Sequence, residues 1–168
     1  PDGTRVPLTP VVVEKGTDWA RASVKKDAGD DPDVTDGCLV VATVAWADEG
    51  DIVFVAGEGV GTVTKPGLSV PPGEPAINPV PRWMIRQAIR EVTDRPVRVT
   101  VSIPGGRELA DKTFNPRLGV EGGLSILGTS GIVRPFSSSA LRDALVCALS
   151  VATACKVKKP VFVPGRIG

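Results

Sequence analysis

Residues 82–103, RWMIRQAIREVTDRPVRVTVSI, predict a helix followed by a strand. Trp83, Ile85, Ala88, Ile89 and Val92 recur at the spacing of one buried helical stripe, and the preceding Pro81 suits a helix start. Val97 to Ile103 then reads as a strand. A helix with one apolar stripe needs a sheet to cover, and strands are legible upstream. Val6 to Val13 reads as a short strand that Pro7 and Pro10 confine to a sheet edge, Trp19 to Val24 as a second, Cys38 to Trp46 as a largely buried β-branched one, and Asp51 to Ala56 as a fourth. Residues 1–123 are therefore expected to form an α+β domain, a mixed β-sheet with a covering helix, carrying Gly/Pro-rich loops.

From Leu124 the pattern changes to an apolar segment at 124–127, the loop Gly128-Thr129-Ser130-Gly131, a helix near 138–156 and a strand at 160–163. That order predicts a βαβ unit over 124–168, the start of an α/β, Rossmann-like second domain. Ser137, Ser138 or Ser139 can cap the helix, and Lys156, Lys158 and Lys159 fall at its end, where the dipole favours cations. The last residues, 164–168, read as a strand-to-helix turn with no helix after it. Together with a start that has neither Met nor signal peptide, this predicts a trimmed or partial chain.

Composition excludes several functions. The chain of 168 residues has no His, which removes His-based zinc sites, Ser-His-Asp and Cys-His nucleophile systems and imidazole acid/base chemistry. With no Tyr and a 4% aromatic content, little is available for base stacking, and 20 basic against 19 acidic residues argue against a polyanion binder, so no nucleic-acid partner is expected. The longest nearly apolar stretch, 140–155, carries Arg142 and Asp143 and falls short of the roughly 20 residues of a membrane span, so a soluble protein is expected. Cys38, Cys147 and Cys155 are widely spaced in apolar surroundings and are predicted to be buried thiols of a reducing cytoplasm. The charge is uneven. Residues 25–36 hold five Asp and two Lys, whereas 126–168 hold six Lys or Arg and the single acid Asp143.

Five clusters could carry chemistry. In KDAGDDPDVTD, residues 26–36, the carboxylates can hold a cation, act as a base or cap the amides of a tight turn. GEGVGTVTKPG, residues 57–67, follows a strand as a phosphate loop would but matches neither dinucleotide nor P-loop fingerprint, so it is either a ligand loop or a bulged hairpin. In residues 73–82, GEPAINPVPR, the prolines stiffen the path into the helix, and Glu74, Asn78 and Arg82 either face a ligand or belong to a covering loop. Residues 104–123 mix glycines with Arg107, Lys112 and Arg117, which suits carboxylate or phosphate groups as well as plain surface cations. GTSGIVRP, residues 128–135, is a small-residue turn after a strand, a candidate cofactor position in an α/β sheet.

Taken in order, KDAGDDPDVT, GEGVGTVTKPGL, GEPAINPVPR, KTFNPRLGVEGGLSILGT and GIVRP resemble the cobalt-precorrin-5B C(1)-methyltransferase family across residues 26–135. The family's usual Gly-Tyr-Thr-Thr-Gly-like N-terminal segment and most of its C-terminal domain have no counterpart here. The resemblance implies methyl transfer from S-adenosylmethionine to C-1 of cobalt-precorrin-5B, giving cobalt-precorrin-6A in anaerobic cobalamin biosynthesis, by a cytoplasmic enzyme that can be a homodimer. Cobalt enters only as part of the substrate, and no resident metal is expected. Gly57, Gly59, Gly61, Thr62, Gly128, Thr129 and Gly131 are the implied cofactor contacts. Lys65, Glu74, Asn78, Arg82, Arg107, Lys112, Asn115, Arg117 and Arg134 are the implied contacts to the carboxylate-rich substrate. An acid among Asp27, Asp30, Asp31 and Glu58 would handle a proton or steady the sulfonium. The competing reading is a non-catalytic or different-substrate domain that binds an anionic small molecule such as a nucleotide or sugar phosphate; a structural or assembly module is the third.

Overall fold

Val97, Val99 and Val101 alternate with Arg98, Thr100 and Ser102, so one face of their strand is apolar and the other polar, and this strand lies inside a mixed sheet. The computed structural model describes residues 6–128, 138–161 and 163. In chain order the elements are β1 (Val12–Lys15), β2 (Trp19–Lys25), β3 (Leu39–Trp46), β4 (Ile52–Ala56), β5 (Thr62–Val63), α1 (Pro79–Arg90), β6 (Val97–Ser102), α2 (Gly106–Ala110), α3 (Asn115–Leu118), β7 (Val120–Glu121) and α4 (Ser138–Ala154). The five-stranded sheet has the order β1-β2-β3-β6-β4, antiparallel except for the parallel pair β4 and β6, which α1 connects. β5 and β7 form a separate two-stranded ribbon.

The expected strands and covering helix are present with shifted ends. β1 is an edge strand as predicted, but it begins only at Val12, because Pro7 and Pro10 have no N–H for a ladder. β3 is not largely buried; its residues are half-buried or exposed among the described residues, with Val40 and Val44 packed against the main core. α1 starts at Pro79, four residues before the first residue of the apolar stripe, its first turn tolerating Pro79 and Pro81. Of that stripe, Ile85 and Ile89 pack on the main core with Ile52, Phe54, Val97, Val99 and Val101, while Trp83 is half exposed and Val92 lies beyond the helix end.

The second half departs further from expectation. Leu124 and Ile126 make only isolated parallel bridges, to Val60 and Ile77, and join the core of the first unit. α4 forms where expected, but residues 160, 161 and 163 are not in a strand, so no βαβ unit is present among the described residues. The helix stops in a turn in which Val157 N–H donates to Ala152 O and Lys156 N–H to Thr153 O, with Lys156 left-handed at φ 58°. Cys147 and Cys155 are exposed and Cys38 half-buried, against the expectation of three buried thiols, because α4 leaves most of its surface uncovered among the described residues.

Candidate functional site

Two adjacent parallel strands end side by side at Ala56 and Ser102, and open α/β sheets bind ligands beyond such carboxyl ends. A cavity of about 480 Å³ lies there, lined by the loops 56–60 and 105–108, by Thr62, and by Glu121 and Gly122 after the ribbon. Its size falls in the roughly 300–1,000 Å³ range of small-molecule sites. Its lining includes three acidic residues, Glu58, Glu108 and Glu121, and one Arg, Arg107. Glu121 also accepts a 3.1 Å hydrogen bond from Thr64 Oγ1.

The glycines around the cavity bring backbones together. A Cβ on Gly59 (φ +69°) would lie 1.9 Å from Ile103 O and 2.8 Å from Gly106 N, one on Gly106 2.4 Å from Gly59 O, and one on Gly123 2.3 Å from the same oxygen. Three chain segments therefore cross at Gly59 with no side chain between them. The amides are spent internally as well: Gly57 N–H donates to Val101 O, Gly61 N–H to Leu124 O, and Gly59 O accepts from Leu124 N–H. What the glycines position is the rim, with Glu58 projecting from it as an exposed side chain.

The aspartate loop 26–38 lies at this same end of the sheet, since Lys25 pairs with Leu39 and Val41 pairs with Ser102. Most of its carboxylates hold the loop itself. Asp27 Oδ1 accepts from Gly29 N–H at 2.8 Å, Asp36 Oδ1 from Ala28 N–H at 2.9 Å, and Asp33 Oδ1 from Thr35 N–H at 2.8 Å. Lys26 Nζ donates to Asp33 and to Thr35 Oγ1. Burial alone would raise the Asp33 carboxyl, but the bonds from Lys26 and Thr35 outweigh it and hold it below the ordinary 3.8. Burial likewise pushes the neighbouring Cys38 thiol up, against the pull of Lys26. Asp30 and Asp31 make no such bond among the described residues, and neither lines the cavity.

The cation set divides. Arg82 folds back on its own loop: Nε donates to Ile77 O at 2.8 Å, the terminal nitrogens reach Glu74 Oε2 at 3.2 Å and Pro75 O at 3.0 Å, and the group lies 5.3 Å from the Phe54 ring. Glu74 is consumed in the same contact, and Asn78 Oδ1 accepts a long bond from Ser69 Oγ. Arg86 and Arg90 continue the row down α1 and grip Asp51; the Arg90 bond is the main cause that keeps the Asp51 carboxyl below its ordinary value. Asn115 is buried, its amide donating to Gly123 O at 3.3 Å and its oxygen accepting from Ser125 Oγ at 3.1 Å. Lys65 lays its stem along Gly119. Lys112 and Arg117 line a second cleft of about 410 Å³ with Asp111, Thr113, Phe114 and Pro116.

Of the residues picked from sequence, Gly57, Glu58, Gly59, Thr62 and Arg107 meet in the first cavity. Gly61 packs behind it against Val120, and Gly128 against Pro81 at the start of α1. Thr129, Gly131 and Arg134 lie outside the described residues. Glu108, Glu121 and Phe114 were not picked; all three stand in or beside the glycine-and-cation stretch, where attention to carboxylates and to an isolated aromatic would have found them.

These features define an α+β protein with a cavity at the carboxyl ends of a parallel strand pair. The CbiD family model matches residues 1–135, and the chain belongs to the CbiD family. It is 58% identical over 167 residues to the cobalt-precorrin-5B C(1)-methyltransferase of Syntrophotalea carbinolica, covering 99% of this chain and 47% of that protein. It is 57% identical over 154 residues to the protein of the same name from Thermus thermophilus, covering 92% and 42%. The 1.9 Å crystal structure of the cobalamin biosynthesis protein cbiD from Archaeoglobus fulgidus is similar with a TM-score of 0.52 at 34% identity, over 82% of this chain and 45% of that one. The chain spans about half the length of the curated relatives it matches.

Proposed function

We propose that this chain supplies part of the active site of a cobalt-precorrin-5B C(1)-methyltransferase, which transfers a methyl group from S-adenosylmethionine to C-1 of the corrin precursor to give cobalt-precorrin-6A. The observation that carries the reading is the first cavity: it sits where α/β sheets bind ligands, inside the segment matched by the family model, and its carboxylates outnumber its cations. An excess of carboxylates suits a sulfonium, and the cofactor's contribution is an electrophilic methyl group. The chain's own task is then alignment and electrostatics, which need no His. Glu58 is the acid best placed to steady the sulfonium, because it alone of Asp27, Asp30, Asp31 and Glu58 lines the cavity. The glycine crossing holds that rim at a fixed height.

In the same reading, residues 124–168 begin a second, Rossmann-like unit of a cytoplasmic enzyme that can pair with a second copy. The exposed apolar side chains Leu141, Leu145 and Val146 on α4 support further packing there, while Leu124 and Ile126 anchor the connection in the first core.

The test is a thermal-shift titration of a chain of full family length carrying this segment, with S-adenosylmethionine, S-adenosylhomocysteine, ATP and NAD. A ligand at 100 times its dissociation constant stabilises by about 2.7 kcal/mol. A shift selective for the sulfonium and its thioether product supports the proposal. A shift with ATP or NAD alone favours a nucleotide-binding domain, and no shift with any of them, corrin present or absent, sinks the methyltransferase reading.

A further inference from the structure

α2 separates two clefts of opposite electrostatic character. The first holds Glu58, Glu108 and Glu121 against Arg107, and the second, beginning at Asp111 on the other end of α2, holds Lys112 and Arg117 against that single acid. α2 is five residues, about 8 Å, long, and residues from its first turn line the first cleft while Asp111 at its C-cap lines the second. In the second cleft Phe114 is 63% exposed, and the Arg117 guanidinium lies 5.7 Å from its ring. Neither Lys112 nor Arg117 makes an ion pair among the described residues, although Lys26, Arg82, Arg86 and Arg90 all do. An exposed ring beside two unpaired cations presents an apolar face flanked by carboxylate-binding groups.

We propose that the Lys112–Phe114–Arg117 cleft is a subsite for a flat, carboxylate-bearing ring, distinct from the acidic cavity, which takes the cationic methyl donor. This assignment rests on the methyltransferase reading and says which of its two ligands goes where. The physical reason is charge: a polycarboxylate is repelled by the three glutamates of the first cavity and attracted by the second, and a sulfonium sorts the opposite way. The short spacing lets a ring larger than α2 rest a carboxylate arm and an edge on Phe114 while its reacting carbon reaches the donor cavity. Phe114 supplies contact area, and Lys112 and Arg117 choose the substituents.

The experiment measures binding to the full-length enzyme of two stable corrins, one with free carboxylates and one with those groups amidated, by quenching of intrinsic fluorescence. S-adenosylhomocysteine affinity is measured in parallel by calorimetry. Wild type should prefer the free-carboxylate corrin. Lys112→Ala with Arg117→Ala should weaken that corrin 10- to 100-fold, leave the amidated one within about twofold, and leave S-adenosylhomocysteine unchanged. Phe114→Ala should weaken both corrins. Both cations are exposed, and an unchanged circular dichroism spectrum confirms folding of the variants. Unchanged binding of the free-carboxylate corrin in the double variant overturns the subsite while S-adenosylhomocysteine binding upholds the methyltransferase reading. A wild type that binds neither S-adenosylhomocysteine nor either corrin overturns both.

Discussion

Gly59→Ala should be among the most damaging single-methyl additions in this protein. At φ +69° an L-residue costs about 1–2 kcal/mol from the left-handed backbone alone. The added Cβ would also fall 1.9 Å from Ile103 O and 2.8 Å from Gly106 N, the acceptor and donor of the 2.8 Å bond that opens α2. Backbone atoms on both sides cannot swing aside as a side chain can, so forcing them apart adds about 1–3 kcal/mol. The sum is about 2–5 kcal/mol. Gly105→Ala is the internal control: it shares the rim and has φ +73°, but nothing lies within 4 Å of its Cβ, so it should cost only the backbone part. Guanidinium unfolding read by circular dichroism measures both, provided the slope with denaturant stays constant. In thermal melts the costs correspond to roughly 2–4 °C per kcal/mol for a chain of this size. If the two variants agree within about 0.5 kcal/mol, the backbone crossing does not carry the rim and the reasoning fails.

Arg82→Ala should destabilise by about 2–4 kcal/mol, from lost charge-assisted bonds to Ile77 O, Pro75 O and Glu74 and from the lost Phe54 contact. Arg82→Lys should recover less than half of this, since an ammonium cannot span the same acceptors. Unfolding curves that match wild type, together with weakened corrin binding, would instead give Arg82 to the ligand. Asp33→Asn tests the aspartate loop through pH. The folded carboxyl lies below 3.8, so its contribution is fully present above that pH and is lost as the pH falls through the lowered folded value. The stability gap between wild type and Asp33→Asn should therefore be constant from pH 7 to about 5 and close below 3.8; a gap that persists unchanged to pH 2 would contradict the Lys26–Asp33 assignment.

Much of the first unit is legible in one dimension because its signals are local. The Ile85 and Ile89 spacing marks the covering helix, β-branched runs mark β2, β3, β4 and β6, and Pro7 and Pro10 mark the edge. The same local reading predicts a βαβ unit after residue 123, much of which lies outside the described residues; within them, Leu124 and Ile126 look like the core of a new strand but pack into the core of the first unit with Ile77. An apolar pair reports that it will be buried without reporting against what.

The sequence alone determined most element types of the first unit and, through five ordered motifs, the family. The tertiary structure decided which polar residues remain free to act. Arg82, Glu74, Asn115 and Asp33 carry suitable chemistry, yet each is drawn into an internal bond by a partner that no spacing rule places beside it. Glu58, Arg107, Lys112 and Arg117 remain without such a partner among the described residues and border the two clefts. Hydrogen-bond satisfaction is a property of three-dimensional neighbours, whereas hydrophobic period is a property of the chain, and that difference separates what could be read from what had to be seen.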